Sequence, residues 1–245
     1  MFKVNWSEWY PELLDGLLRT LEYTVLGFLA AALLGLGLAL MRMSKVRLVR
    51  SPAAIYTELF KNIPLLVIVF VLYFGLPETQ GALGDWVVMG AFKAGVLGLA
   101  IFYAAYLSEV FRAALAGVHD GQREAAQALG LGRWHLFSRV VFPQALRLAL
   151  PGTNTMLVDM LKSTSLLITI TAGELMSVGQ SISSQTFEVM EVYLVLAAIY
   201  FAMCYPLSQG LLWLERRVRA GAPLSVRRYR RLRVAKELLA TGGVA

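Results

Sequence analysis

A single cysteine, Cys204, rules out an intrachain disulfide, and its place inside an apolar run marks it as a small buried hydrophobe. The two histidines, His119 and His135, have no partners at metal-ligand spacing, so no metal centre is expected. No Gly-x-x-x-x-Gly-Lys-[Ser/Thr] stretch occurs, which excludes a Walker-A phosphate cradle in this chain. Charge is scarce as well: 16% of the 245 residues are charged, while 58% are hydrophobic. Soluble domains sit near ~45–50% apolar. A chain this long and this apolar needs a nonaqueous solvent for much of its surface, which points to one multi-span membrane domain.

The net charge of +7 would suit a nucleic-acid partner, but its distribution does not. Nine basic residues fall between Arg216 and Lys236, beyond the last apolar run. A basic tail after a membrane span is what a cytoplasmic lipid surface selects, so the bilayer is the expected partner and nucleic acid is not. The start, Met1 to Asp15, is polar and carries Glu8, Glu12 and Asp15, with no cleavable signal peptide evident. The expected organisation is an external segment over 1–16, a transmembrane domain over 17–215 with a cytoplasmic loop at 117–147, and a basic cytoplasmic tail over 216–245.

A hydrocarbon core of about 30 Å needs about 20 apolar residues as helix. Five stretches qualify: Leu17–Met41, Ala54–Leu76, Val87–Phe111, Leu148–Thr171 and Val192–Leu214. The expected fold class is therefore an all-α integral membrane protein with about five transmembrane helices. Cations follow the first span (Arg42, Lys45, Arg47, Arg50), the third (Arg112, Arg123, Arg133, Arg139, Arg147) and the fifth. The other loops hold Glu78, Asp85, Glu174, Glu188 and Glu191, with Lys93 the only nearby cation. The positive-inside rule then puts the N-terminus outside and the C-terminus inside. Trp6, Trp9 and Tyr10 would form an outer aromatic belt, and Trp213 would mark the inner interface. Gly27, Ala31 and Gly35 in the first span, and Ala94 and Gly98 in the third, recur at four-residue spacing. That spacing fits either close helix contact or plain membrane composition.

The loop between the third and fourth spans is the most informative segment. Asp120 is placed to cap a short helix; Ala125, Ala128 and Leu129 fall on one face of it, and Gly130 is placed to end it. A second amphipathic helix follows, with Trp134, Phe137 and Val141 on one face and Pro143 placed to break or kink it. An alanine-lined helix can press into a groove on another protein; an amphipathic loop lying on the membrane surface accounts for the periodicity equally well.

Glu124-Ala125-Ala126, three residues, Gly130, nine residues, Val140, one residue and Phe142-Pro143 resembles the EAA signature of ABC-importer permease subunits, with valine and phenylalanine in place of the more frequent isoleucine and leucine. Gly16–Leu21, Glu58–Leu66, Ser108–Arg112, Leu161–Leu166 and Leu214–Arg217 look like the polar-amino-acid branch (His/Glu/Gln/Arg/opine) of these permeases. The likeness runs from about Gly16 to Arg217. It implies a type I importer permease in a prokaryotic inner membrane, paired with a second permease subunit as homo- or heterodimer. It implies a cytosolic ABC ATPase dimer as the partner that binds ATP and Mg, and an extracytoplasmic binding protein that delivers a polar amino acid. The chain itself would be no enzyme and would hold no cofactor. Glu124, Ala125, Ala126 and Gly130 would belong to the coupling helix.

The fourth span is the most polar. Thr155, Asp159 and Lys162 share one helix face there. A charge at the bilayer centre costs at least about 2.5–3.5 kcal/mol, so this face should line a subunit interface or a water-filled path. Asp159 and Lys162 either pair with one another or, with Ser163, touch the substrate's ammonium and carboxylate. Many relatives look like Lys-Asp-Thr-Ser at 162–165; Ser163 replaces the acid, which speaks against a lysine- or arginine-specific importer. In the second span Pro64 is expected to kink the helix, and Glu58 with Lys61, like Glu109 with Arg112, to pair or snorkel rather than touch substrate. Residues 172–190 read as an external connector or a contact for the binding protein. The alternatives are a secondary transporter driven by an ion gradient, which would need paired broken helices that the sequence does not repeat, and a non-transporting scaffold, which would not need the polar fourth span.

Overall fold

A computed structural model describes residues 4–75 and 89–220 of the chain. Among these residues there is no strand. The helices are α1 (Trp6–Arg42), α2 (Arg47–Asn62), α3 (Leu65–Phe70), α4 (Ala91–Ala116), α5 (Asp120–Ala128), α6 (Arg133–His135), α7 (Phe142–Ser163), α8 (Leu175–Thr186) and α9 (Val189–Ala220). Three helical segments are long and apolar enough to cross a membrane: α1, α4 and Val189–Val218 of α9. Two bent pairs, Arg47–Asn62 with Leu65–Gly75 at 105° and Arg133–Ile170 with Leu175–Thr186 at 52°, raise that to up to five if each pair is one span. Leu76, Glu78, Asp85 and the tail after Ala220 lie outside the described residues.

The directions of the helices follow from which residues meet. Between α1 and α4, Tyr23 meets Gly95, Gly27 meets Leu99 and Gly35 meets Leu107, so both chains advance together and the two helices run parallel. Between α4 and α7 the order is reversed: Val110 meets Gly152, Tyr103 meets Asp159 and Ser163, and Gly95 meets Leu167. Helix α9 returns beside α7, with Asn154 Nδ2 donating to the Leu211 carbonyl at 3.3 Å. The C-terminal ends of α1, α4 and α9 therefore share one end of the bundle with α5. The cations that follow α1 and α4 emerge together there, with Arg216 and Arg217 near the end of α9.

Small residues decide the α1–α4 contact. Ala31 is fully buried, and a Cβ on Gly35 would lie 3.1 Å from the Ala104 carbonyl oxygen and 3.2 Å from the Ser108 nitrogen. Of the two readings of that spacing, close backbone approach is the one observed. Gly98 serves α3 instead, where its Cβ would meet Val69. At the α5 end, Arg42 Nη1 lies 2.6 Å from Glu109 Oε1, Arg112 Nη2 2.8 Å from Oε2 and Lys61 Nζ 3.5 Å from Oε1. Lys61 also reaches Glu58 at 3.2 Å. One carboxylate thus ties α1, α2 and α4, beyond the two local pairs that spacing predicts.

Several expectations are corrected. The helix that holds the first apolar stretch already starts at Trp6. Trp6 has a partner within the fold: its Nε1 donates to Glu191 at 3.1 Å, and Trp6 and Trp9 pack against a cluster that includes Leu175, Val192 and Leu196. Pro64 does more than kink the second span, since Ile63 is extended (φ −101, ψ 129) and the chain turns by 105° there. Proline disfavours the helical region for the residue before it, which accounts for the break. Pro143, by contrast, does not break its helix. It sits in the first turn of α7, and Leu136–Val141 before it widens into a π-helical turn, which absorbs the missing N–H. Residues 172–190 contain a further 12-residue helix, α8, rather than a plain connector.

Candidate functional site

The α5 end is built by its caps. His119, not Asp120, is the N-cap: its Nδ1 accepts from the Gly121 N–H at 3.1 Å, and Asp120 is the first helical residue. The other end closes as expected. Gly130 has φ +74, its N–H donates to the Gln127 carbonyl at 2.9 Å, and the Leu131 N–H donates to the Ala126 carbonyl at 3.1 Å. That pair of bonds is a Schellman closure, and its left-handed residue favours glycine. Ala126 turns inward and is 4% exposed, while Glu124, Ala125, Ala128 and Leu129 stay exposed. Trp134 is 73% exposed beside them in sequence, and Val141 is buried against Leu115 and Ala145, so the second amphipathic face is divided between the chain's own core and the outside. A large apolar residue left out of the fold beside an alanine face is what a docking helix presents.

In the middle of the bundle, Thr155, Asp159 and Lys162 do share a face. They line one cavity of about 410 Å³ between α7 and α9, together with Asn154, Ser208 and Glu215. Lys162, Val158 and Ser208 also line a second cavity of about 590 Å³, walled by Tyr193, Tyr200, Phe201 and Tyr205 of α9. Asp159 and Lys162 form no ion pair among the described residues. Asp159 Oδ2 instead accepts from the Tyr103 hydroxyl at 2.8 Å, and Tyr103 is also hydrogen-bonded to Ser163 Oγ at 2.8 Å. Ser163 thus stands behind the polar face, against α4, and not in the cavity. Tyr103, 1% exposed, went unnoticed in the sequence because nothing distinguishes it from the other aromatics of an apolar run.

At the end opposite α5, the loop acid Glu174 is fully buried. It caps α8, accepting from the Met176 and Ser177 N–H groups, each at 2.8 Å, and from the Tyr200 hydroxyl at 3.1 Å. Its position one residue before a helix was the available signal. Beyond it, Ser177, Gln180, Ser181, Ser184 and Gln185 follow one face of α8 and line an uncharged polar groove of about 450 Å³ with Thr171 and Gly173. Among the described residues no group of three or more His, Cys, Asp or Glu is placed to hold a metal ion.

Residues 24–220 match the family model described as the binding-protein-dependent transport system inner membrane component. The chain is 36% identical over 197 residues to "Probable amino-acid ABC transporter permease protein YckA" of Bacillus subtilis (strain 168), covering 80% of this chain and 84% of that one. It is 36% identical over 217 residues to the octopine transport system permease protein OccM of Rhizobium radiobacter, covering 85% and 89%. Among solved structures, a crystal structure of an amino acid ABC transporter with histidines superposes with a TM-score of 0.79 at 35% identity, covering 89% of this chain and 100% of that one. An inward-facing methionine ABC transporter shares the fold at 18% identity, with a TM-score of 0.66. This chain is a membrane protein of the amino-acid ABC transporter permease family, the binding-protein-dependent transport system inner membrane components.

Proposed function

We propose that this chain is the membrane-spanning permease subunit of an ATP-driven importer of polar amino acids. In this reading its α5 end faces the cytosol and docks one subunit of an ABC ATPase dimer, which binds ATP and Mg. The opposite end receives substrate from an extracytoplasmic binding protein, and a second permease subunit completes the path. The five spans lie within 17–215, between an external segment (1–16) and a cytoplasmic tail (216–245).

The observation that carries the reading is α5 itself. Its ends are fixed by backbone and side-chain caps, yet Ala125, Ala128 and Leu129 are left unpacked, with Leu129 81% exposed. Exposed Glu124 offers a charge at the same surface. Gly130 sets where the helix stops, and Ala126 holds it to the rest of the chain rather than to the ATPase. The convergence of cations at this end supports a cytosolic placement, because retained Lys and Arg orient membrane proteins.

Thr155, Asp159 and Lys162 are the proposed substrate contacts, presenting one carboxylate and one ammonium to the two charged ends of an amino acid. Ser163 acts through Tyr103 by holding Asp159 toward the cavity. The uncharged groove of α8 is the proposed meeting place with the binding protein.

Photo-crosslinking tests the docking assignment. A photoreactive residue at Ala125, Ala128 or Leu129 is expected to capture an ATPase subunit, and one at Ala126 is not. Adducts with lipid alone at all three exposed positions would refute the assignment.

A further inference from the structure

Three cations at the corner between α1 and α2 have no carboxylate partner among the described residues. Lys45, Arg47 and Arg50 are all exposed, and no carboxylate pairs with any of them among the described residues. The sequence has no Asp or Glu from Tyr23 to Thr57. The nearest acids are already engaged: Glu58 with Lys61, and Glu109 with Arg42, Lys61 and Arg112. Helix α2 has no acidic residue in its first turn, where one would balance the positive end of the helix dipole, and carries Arg47 and Arg50 there instead. The corner is therefore a concentration of positive charge that nothing in the described fold neutralises.

An apolar edge runs away from that charge. Leu48, Ile55 and Leu59 share one side of α2 and are 84%, 66% and 50% exposed. The other side of the same helix is held in place. Ala53 and Thr57 are buried, the Tyr56 hydroxyl donates to the Ile101 carbonyl at 2.9 Å, and Thr57 Oγ1 lies 3.2 Å from Ser108 Oγ. Helix α2 thus presents a fixed surface with an apolar side and a cationic start. At 37 residues α1 spans about 55 Å, more than the ~30 Å hydrocarbon core, so the helix extends past that core.

We propose that this corner, Lys45, Arg47 and Arg50 with the edge Leu48–Ile55–Leu59, binds anionic phospholipid, the phosphates on the cations and the acyl chains along the apolar edge. Charge complementarity selects this occupant. A second copy packed through the same face would set like charges against each other, whereas a phosphate diester satisfies both halves of the surface. The inference does not rest on the coupling assignment of α5, because it concerns only where lipid sits.

The test uses Leu48→Trp, a substitution at an exposed position, in the protein purified with its associated subunits and placed in nanodiscs. The added fluorescence, taken as the difference from the unsubstituted protein, is quenched with brominated phosphatidylglycerol or brominated phosphatidylcholine at equal mole fraction. Half-maximal quenching is expected at a phosphatidylglycerol fraction at least about fivefold lower, on the order of the effect of one basic residue at a lipid surface. Adding Lys45→Gln, Arg47→Gln and Arg50→Gln is expected to erase the difference. Equal quenching by both lipids, a preference that survives the three glutamines, or no quenching by either lipid, as a second copy covering the face would give, overturns the proposal.

Discussion

At the scale of single residues, the α1–α4 contact depends on the absence of one methyl group. A Cβ on Gly35 would meet Leu107 Cβ at 3.0 Å and two backbone atoms at little more, and backbone atoms in a packed helix pair cannot swing aside. Gly35→Val is expected to cost about 1–3 kcal/mol, seen as a lower unfolding midpoint in detergent. Gly37 has nothing within 4 Å of its would-be Cβ, so Gly37→Ala is expected to leave the midpoint unchanged or raise it, by up to ~1 kcal/mol of helix propensity. Equal effects at the two positions would show that packing is not what distinguishes them. Tyr103 belongs to the same scale. Tyr103→Phe removes the bonds to Asp159 and Ser163 but keeps the ring, so a loss of about 0.5–1.5 kcal/mol is expected. Asp159→Asn is expected to lower uptake at least about tenfold, equivalent to ~1.4 kcal/mol, with the protein still inserted. Normal uptake by that variant would remove Asp159 from the path.

At the scale of elements, the helix content and most of the apolar runs were legible, and so was the closure of α5. Glycine at a helix end has a local cause, and Gly130 adopts the left-handed conformation that its position implies. What escaped the sequence depends on partners distant along the chain. Trp6 looked like an interfacial aromatic because its partner, Glu191, lies on the last helix. The burial of Glu174 was not legible because the Tyr200 hydroxyl that helps satisfy it is on α9. The Asp159 carboxylate bonds across to Tyr103 on α4, a partner that spacing along α7 does not point to. The π-helical turn before Pro143 and the 105° turn at Pro64 show two outcomes for the same residue type. In one the neighbouring turn widens; in the other the preceding residue is forced into extended backbone. Gly130→Pro tests the element directly. Proline holds φ near −65° and has no N–H, so it opposes both the +74° backbone and the bond to Gln127. Substrate-stimulated ATPase activity of the reconstituted complex is expected to be lost while the subunit still reaches the membrane, and unchanged stimulation would detach the end of α5 from coupling.

At the scale of the whole molecule, parallel α1 and α4, with α7 antiparallel to α4 and α9 returning beside α7, bring the cations that follow α1 and α4, and Arg216 and Arg217 of α9, to the end that carries α5. The other end holds the buried Glu174 cap and the uncharged groove of α8, and the cavities that Asp159 and Lys162 line lie between. The proposed importer would use this order as an energy-input surface, a path and a receiving surface along one axis. The most direct measurement is amino-acid uptake into proteoliposomes by the purified complex and its binding protein, with and without ATP, comparing the native chain with Glu124→Arg. Uptake is predicted to require ATP and to be lost with Glu124→Arg, although that variant inserts normally. Uptake driven by an ion gradient without ATP, or uptake that Glu124→Arg leaves intact, would contradict it.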